Sequence, residues 1–435
     1  MKTPIRVTRH AALKSSATVA AASFASPLLP AHGRTDDTAA RAVELAHREM
    51  WRRFVDVHGI VLDYTNLDGT FLRPSAEECR LGKPNAVGWL TPIANGAMFS
   101  GLYLDAAILR AQQTGVVADK ANARRLVEGL LLLASVGEVK GFIARGVATD
   151  GRSTYPLGSN DQTGPWFYGL WRYLRSGLPD NALQQRIIAR MTDVADVLEG
   201  TGWKMPAAKP FNFRGSFAEH GWDGSPRLLF LMKVMHALTG HAKWAQHYEE
   251  SLHEKDGGKP TRLEACALGV ASRPKPRMWT GSVSVACLRE LWELEHDQAV
   301  RSQFAQGLSA SAEFAATQLP QAREFENESA RAFDGDWRKL NELWRPQASS
   351  TEASAVSAPQ RSMQGKQSPR MHDESSLVRE PAFASWIVAL CPDSSIVARH
   401  RAAVLDTIAH YRCDRLYLST FFPLESAWWR LQGAV

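Results

Sequence analysis

From Asp36 onward the chain alternates between two kinds of helical segment, and that alternation restricts the fold more than any other feature. One kind is amphipathic and charged: 38–57, 118–135, 181–199, 242–253, 298–318 and 396–411, where apolar residues recur every three or four positions. Such a segment has one wet face and one dry face. The other kind is apolar nearly all round and rich in glycine and aromatic residues: 92–109, 165–174, 226–238, 281–294, 381–391 and 423–431. These need protein on every side. Almost no stretch has the period of two that marks a half-buried strand. Six charged and six apolar segments in strict alternation predict an all-α fold, an (α/α)6 toroid of six helical hairpins with an inner and an outer ring. No repeat of fixed length is visible, which argues against a solenoid.

Five of the apolar segments carry a proline near their start: Pro92, Pro165, Pro226, Pro381 and Pro423. Proline suits the first helical position, where its missing N–H would be unpaired anyway, so these prolines predict where the inner helices begin. In a toroid the inner helices run the same way and aim their positive N-terminal ends at one basin. Residues just ahead of each start then line it: Asn85; Asn160, Asp161 and Gln162; Glu219, His220, Trp222 and Asp223; Trp279; and His372, Glu374 and Arg379. The loops leading into the outer helices, such as 178–181 and 391–393, are blander. Asp161 and Asp223 thus share one rim. Capping is the ordinary use of an aspartate at a helix start, but Ser225 is the better-placed cap beside Asp223. Asp105, two or more turns inside an inner segment, reads as a polar plug.

Lys2, Arg6, Arg9 and Lys14, the small apolar run 17–25 and the segment 26–31 have the three-part pattern of a secretory signal, predicting export to the periplasm or beyond. Within it, 8–14 resembles a twin-arginine motif with His10 in place of the second arginine. Removing residues 1–31 takes away four basic side chains and no acid, so the formal charge falls from +6 to +2. Acids and bases are mixed along the helices, and no nucleic-acid partner is expected. Nor is a membrane span, since no later run of about 18 uncharged apolar residues exists. Residues 36–435 read as a single domain, because the helix count closes only when 381–431 are included. The Ser-, Ala-, Gln- and Pro-rich stretch 347–369 predicts a disordered insertion around 345–370, on the basin side. Five cysteines, with no metal-ligand spacing, predict scattered thiols and at most one disulfide. No phosphate loop, GxSxG or HExxH motif is present, so no metal or cofactor is expected.

Fourteen tryptophans are many for this length, and an indole needs a deep core or a flat ligand. Trp166, Trp222 and Trp279, nearest to helix starts, are the candidates for stacking on a sugar ring. Arg145, Arg152, Arg214 and Lys83 lie in loops of the same rim and favour an anionic ligand.

Two motifs carry a family likeness. The first is 141–146 (Gly-Phe-Ile-Ala-Arg-Gly), followed by 155–162 (Tyr-Pro-Leu-Gly-Ser-Asn-Asp-Gln) and the Gly-Leu-Trp-Arg-Tyr run at 169–173. The second is 222–229 (Trp-Asp-Gly-Ser-Pro-Arg-Leu-Leu). In order and context the chain resembles the six-hairpin glycosidase superfamily, and within it the unsaturated glucuronyl hydrolases and related exo-acting glucuronidase-like families. The motifs look like the starts of the fourth and sixth helices, where those enzymes each place a catalytic aspartate. The segment 63–70 (Asp-Tyr-Thr-Asn-Leu-Asp-Gly-Thr) has no counterpart in the glucuronyl hydrolases.

The resemblance implies a glycoside hydrolase acting on uronic-acid-containing glycans, with Asp161 and Asp223 as the acid/base pair. The candidate substrate contacts are Arg145, Asn160, Gln162, Glu219, His220, Trp222, Trp279, His372, Glu374 and Arg379. Glycosidic cleavage needs one carboxylic acid to protonate the leaving oxygen and a second carboxylate to activate water or attack the sugar. In the unsaturated-uronide enzymes a single aspartate protonates the double bond and activates water. Two alternatives stay open: a polysaccharide lyase on the same toroid, with Tyr155, His220 and Asn160 recast, and a non-catalytic glycan-binding protein. The expected partner is an oligo- or polysaccharide, acidic in the enzymatic readings.

Overall fold

The alternation of segment types carries through into helices. The structure, a computed structural model, describes residues 32–433, so the leader predicted over 1–31 lies outside the described residues. Twelve helices follow the expected order: α1 His32–Glu49, α2 Gly96–Thr114, α3 Val117–Leu133, α4 Asn160–Arg175, α5 Asn181–Gly200, α6 Ser225–Thr239, α7 Ala242–Leu252, α8 Met278–Leu294, α9 Gln298–Ala316, α10 Arg379–Ala389, α11 Ser394–His410 and α12 Pro423–Gly433. Further helices lie in the connections. The strands Lys204–Pro206 and Phe213–Ser216 form a small antiparallel pair between α5 and α6. The chain is all-α in class.

Burial separates the two kinds. The charged helix α5 buries one stripe, Leu183, Ile187, Met191, Val194 and Leu198, whereas α2 buries every residue from Gly96 to Ile108. Each Leu or Ile taken fully out of water contributes roughly 1.5–3 kcal/mol. The apolar helices are neighbours of one another: α2 packs on α4 and α12, α4 touches α6 and α8, α6 packs on α8, α8 on α10, and α10 on α12. The charged helices lie against them, with α3 on α2, α7 on α6, α9 on α8 and α10, and α11 on α10 and α1. Between α2 and α4 the backbones meet at two glycines. A Cβ on Gly101 would collide with the carbonyl of Pro165, and one on Gly169 would come within 2.6 Å of the Gly101 oxygen.

The prolines mark the starts less regularly than expected. Pro423 opens α12 and Pro226 is the second residue of α6, but Pro381 is the third of α10, Pro165 is the sixth of α4, and Pro92 precedes α2. Asp161 is therefore inside α4, as its second residue. Pro165, four positions on and lacking an N–H, withholds the usual helical donor from the Asp161 carbonyl. Ser225 does not cap α6 either; it is the first helical residue, and its hydroxyl accepts from the Gly221 N–H.

The insertion is helical, contrary to the expected disorder. Ser350–Gln367 is a helix whose N-cap, Ser349, accepts from the Glu352 N–H. Gln360, fully buried, donates to the Pro84 carbonyl at 2.6 Å and accepts from Asn85 at 3.0 Å. The buried positions of this helix are Ala353, Val356, Ser357, Gln360 and Gln364, small or polar residues rather than a broad apolar stripe. Its composition therefore resembles that of a disordered segment.

Asp105 is the plug expected of it. With no exposed surface, it accepts from Arg430 at 2.8 and 2.9 Å, Arg172 at 3.2 Å and the Trp386 indole at 3.1 Å. All five cysteines are buried free thiols, so the one disulfide allowed for does not form. Among the described residues no helix is long and apolar enough to cross a membrane.

Candidate active site

A cavity of about 550 Å³ opens where the N-terminal ends of α2, α4, α8 and α10 converge. That volume falls in the range of small-molecule sites, roughly 300–1,000 Å³. Its floor includes the buried Thr91, Phe99, Arg145 and Thr420, and its mouth the exposed Arg277, Arg361 and His372. Two acids line it, Asp63 and Asp161.

Asp63 follows the buried run Ile60, Val61 and Leu62 in the connection from α1 to α2. Its backbone is fixed on both sides, donating to the Pro92 carbonyl at 2.8 Å and accepting from the Ser419 N–H at 3.0 Å. Its carboxyl accepts from the Asn95 N–H at 2.7 Å and from the Asn95 side-chain amide at 2.6 Å. The side chain keeps some surface in the cavity but is surrounded by protein. That burial pushes the carboxyl up to about 7, against the opposing pull of the Asn95 donors. Asn95 is the N-cap residue of α2, yet its side chain makes no capping bond. Its oxygen instead accepts from Gln162 at 3.3 Å and from Arg145 at 3.4 Å, which leaves its amide nitrogen for Asp63.

Asp161 is held from behind. The Arg227 guanidinium, whose side chain has no exposed surface, contacts Asp161 at 2.9 Å with one nitrogen and Asp223 at 3.6 Å with the other. It is fixed in turn by the Ser284 hydroxyl at 3.1 Å and the Thr280 carbonyl at 3.2 Å. Two carboxylate oxygens in contact with one guanidinium lie within the roughly 9.5 Å span of a hydrolytic pair, and the two aspartates do share one rim. Their surroundings differ. Asp161 lines the cavity; Asp223 does not, and its other oxygen accepts from Arg273 at 2.9 and 3.1 Å. Asp223 is an anchor for Arg227 and Arg273 rather than a group facing the cavity.

The remaining candidates divide. Arg145, Trp279, His372 and Arg379 line the cavity. Arg145 donates to the carbonyls of Ala94 at 2.7 Å and Leu157 at 3.0 Å and to the Ser159 hydroxyl at 3.0 Å. Among the described residues no carboxylate is in ion-pair contact with it. Burial pushes its guanidinium down to about 9, still charged at neutral pH. Arg379 lies 4.4 Å over the Trp279 ring. Gln162 is buried behind the wall, where its amide joins the Met98 N–H to Asn95. Asn160, the first residue of α4, faces Gly215 and is outside the lining.

Glu219, His220 and Trp222 also lie away from the lining. Glu219 is exposed, His220 pairs with Glu254 at 3.4 Å, and Trp222 belongs to the core. Glu374 is fully buried and accepts from the Leu418 N–H at 2.8 Å, the Tyr417 N–H at 2.9 Å and Arg370 at 3.1 Å. Its side chain does not line the cavity but fixes the 417–418 backbone beside it, and burial pushes its carboxyl up to about 7. Trp166 is also core, its indole donating to the Leu130 carbonyl at 2.8 Å. Tyr155, a base in the lyase alternative, is buried with its hydroxyl on the Lys83 carbonyl.

Asp63, Trp89, Asn95, Arg277 and Arg361 line the cavity without standing among the sequence candidates. Asp63 has a signal in the sequence, since a lone acid inside an apolar run in an outer-to-inner connection belongs on this rim. Arg361 has none, because its helix reads as disordered.

The arrangement sets a carboxyl whose proton is held near neutral pH and an ion-paired carboxylate in one cavity, beside two indoles and a surplus of guanidinium groups. No protein-family model matches the chain, and no curated protein matches it.

Proposed function

We propose that the protein is an exported glycoside hydrolase acting on uronic-acid-containing glycans, with Asp63 as the proton donor and Asp161 as the carboxylate that activates water or meets the sugar. The observation that carries this reading is the contrast between the two acids of one cavity. Asp63 is pushed up to about 7 by burial, whereas Asp161 is ion-paired with Arg227. Acid/base cleavage of a glycosidic bond requires two carboxyl groups whose surroundings assign them different parts. Asp223 serves this pair by fixing Arg227. Arg145, charged and without a carboxylate in ion-pair contact, supplies counter-charge for a uronate together with the positive helix ends. Trp89 and Trp279 add apolar lining and hold guanidinium groups against their rings, Arg214 and Arg361 at 4.8 and 5.1 Å from the Trp89 ring and Arg379 at 4.4 Å from the Trp279 ring. The buried floor and exposed mouth favour attack at a chain end.

The (α/α)6 toroid is part of the same proposal. It is supported by the succession of apolar neighbours from α2 through α12 and by the return contact of α12 on α2. Export is supported by the basic and apolar leader of the sequence.

A lyase is the second reading, favoured by one observation: Asn95, Tyr64 and His372 also line the cavity. Incubation with glucuronides and uronate oligosaccharides separates the two. Hydrolysis releases a reducing uronic acid without new ultraviolet absorption, and Asp63→Asn and Asp161→Asn each lower the rate at least about 100-fold. An absorbing unsaturated product from intact substrate, or full activity in Asp63→Asn, overturns the hydrolase assignment.

A further inference from the structure

Several arginines in this molecule have a close acidic partner: Arg227 has Asp161, Arg370 has Glu374 and Arg430 has Asp105. At the mouth of the cavity two do not. The Arg277 side chain makes no hydrogen bond or ion pair among the described residues. Among the described residues the Arg361 side chain has only a 3.4 Å bond to the Ser357 hydroxyl, and it lies 5.1 Å over the Trp89 ring. Burial, and after it the like charge of Arg277, lowers Arg361 from its ordinary value, and Arg379 is lowered by burial and by Arg277 against the opposing pull of Glu380. Like charges gathered on one concave surface repel, and an anion placed among them relieves that repulsion.

The position of Arg361 is also built. The residue before it, Gln360, is the buried side chain that fixes the insertion helix to Pro84 and Asn85. The helix is therefore secured within one residue of the guanidinium it presents to the cavity. Exposed His372 adds a ring nitrogen from the short helix Pro369–Asp373 that follows.

Resting on the uronide reading of the cavity floor, we infer that Arg277, Arg361 and His372 form a second anion subsite at the mouth. The substrate class is then a glycan with a further acid group, a carboxylate or a sulfate ester, on a sugar beyond the one held at Asp63 and Asp161. The insertion helix is the element that sets this specificity.

Calorimetry tests it on the full chain carrying Asp161→Asn, which slows turnover at least about 100-fold. Three probes are compared: 4-nitrophenyl glucuronide, a disaccharide of two uronates, and a uronyl disaccharide with a sulfated hexosamine. At least one dianionic probe is expected to bind roughly tenfold tighter than the glucuronide, and the tighter of the two identifies the second group. Adding Arg277→Gln and Arg361→Gln is expected to remove the preference. Raising the salt from about 0.1 M to about 1 M, which shortens the screening length from roughly 10 Å to 3 Å, is expected to shrink it. Equal binding of all three probes before the arginines are changed, or a preference that survives their loss, overturns this subsite while leaving the uronide reading standing. If none of the three binds, both fail.

Discussion

Arg227, with no exposed side-chain surface, donates a 2.9 Å hydrogen bond to Asp161, whose side chain is 38% exposed. The cavity carboxylate is therefore aimed from inside the protein. Replacing the arginine by an apolar residue of similar length, Arg227→Met, removes that aim and takes a donor from the Thr280 carbonyl. A loss of about 1–3 kcal/mol in urea unfolding is expected, together with at least about a tenfold fall in kcat. Because both carboxylates are partly hydrated, the stability loss stays below that of a fully buried pair. An unchanged kcat in the folded variant would show that Asp161 needs no such support.

Asp63 gives the reaction a pH limit. A proton donor pushed up to about 7 loses its proton as pH rises through that value, so kcat/KM is expected to fall on the alkaline side with a midpoint near 7. Asn95→Ala withdraws a side-chain donor that favours the charged form and is expected to move the midpoint upward. A rate that instead climbs through neutral pH assigns Asp63 the part of a base.

The same carboxyl affects stability, with a sign opposite to that of a salt-bridged acid. Its folded value of about 7 lies above the ordinary 3.8, so between those two values the folded state holds more proton than the unfolded one. The contribution is fully present below the ordinary carboxylate range and is lost as pH rises through the folded value. Urea midpoints recorded across that window are expected to decline less steeply in Asp63→Asn than in the parent protein. Parallel slopes would mean that Asp63 ionises alike in both states.

Asp105 sits among Arg172, Arg430 and Trp386 and lines no part of the cavity. Asp105→Ala strips two guanidinium groups of this neutralising charge, and a cost of about 3–5 kcal/mol follows from breaking a buried ionic cluster. Thermal unfolding measures it. Activity per folded molecule is expected to hold, and a selective loss of kcat at full stability would contradict the plug.

Gln360 makes the insertion helix part of the wall. Gln360→Ala removes its bonds to the Pro84 carbonyl and the Asn85 amide, at about 1–3 kcal/mol. Hydrogen exchange is expected to quicken across 350–367 with α2 and α4 unaffected. Uniform acceleration over the whole chain would count against a locally anchored helix.

Much of this is legible in the sequence, for identifiable reasons. Helix α5 shows its buried stripe directly, as Leu183, Ile187, Met191, Val194 and Leu198, and α2 shows near-total burial as a run of small and apolar residues. The rim is legible because inner-helix starts collect polar residues, which brings Asp161, Trp279, His372 and Arg379 to the cavity. Sequence order does not report which way a side chain turns. Trp222 and Glu374 stand in the expected segments, yet one faces the core and the other two backbone N–H groups. Asp63 stands far ahead of its proline, so the rule of helix starts passes over it. It reaches the basin from early in a long connection that folds back onto Asn95.

The contact of α12 on α2 bears on how the chain is made. Tyr103 donates to Glu425 across 322 positions of sequence, and Arg430 reaches Asp105 across 325. During synthesis from the N-terminus, α2 emerges long before the segment that covers it, and Asp105 waits for one of its two guanidinium partners. Contacts so distant in sequence close late and slowly. Until the ribosome releases Pro423–Gly433, the nascent protein carries an uncovered apolar seam, which is the form most exposed to aggregation and most in need of a chaperone.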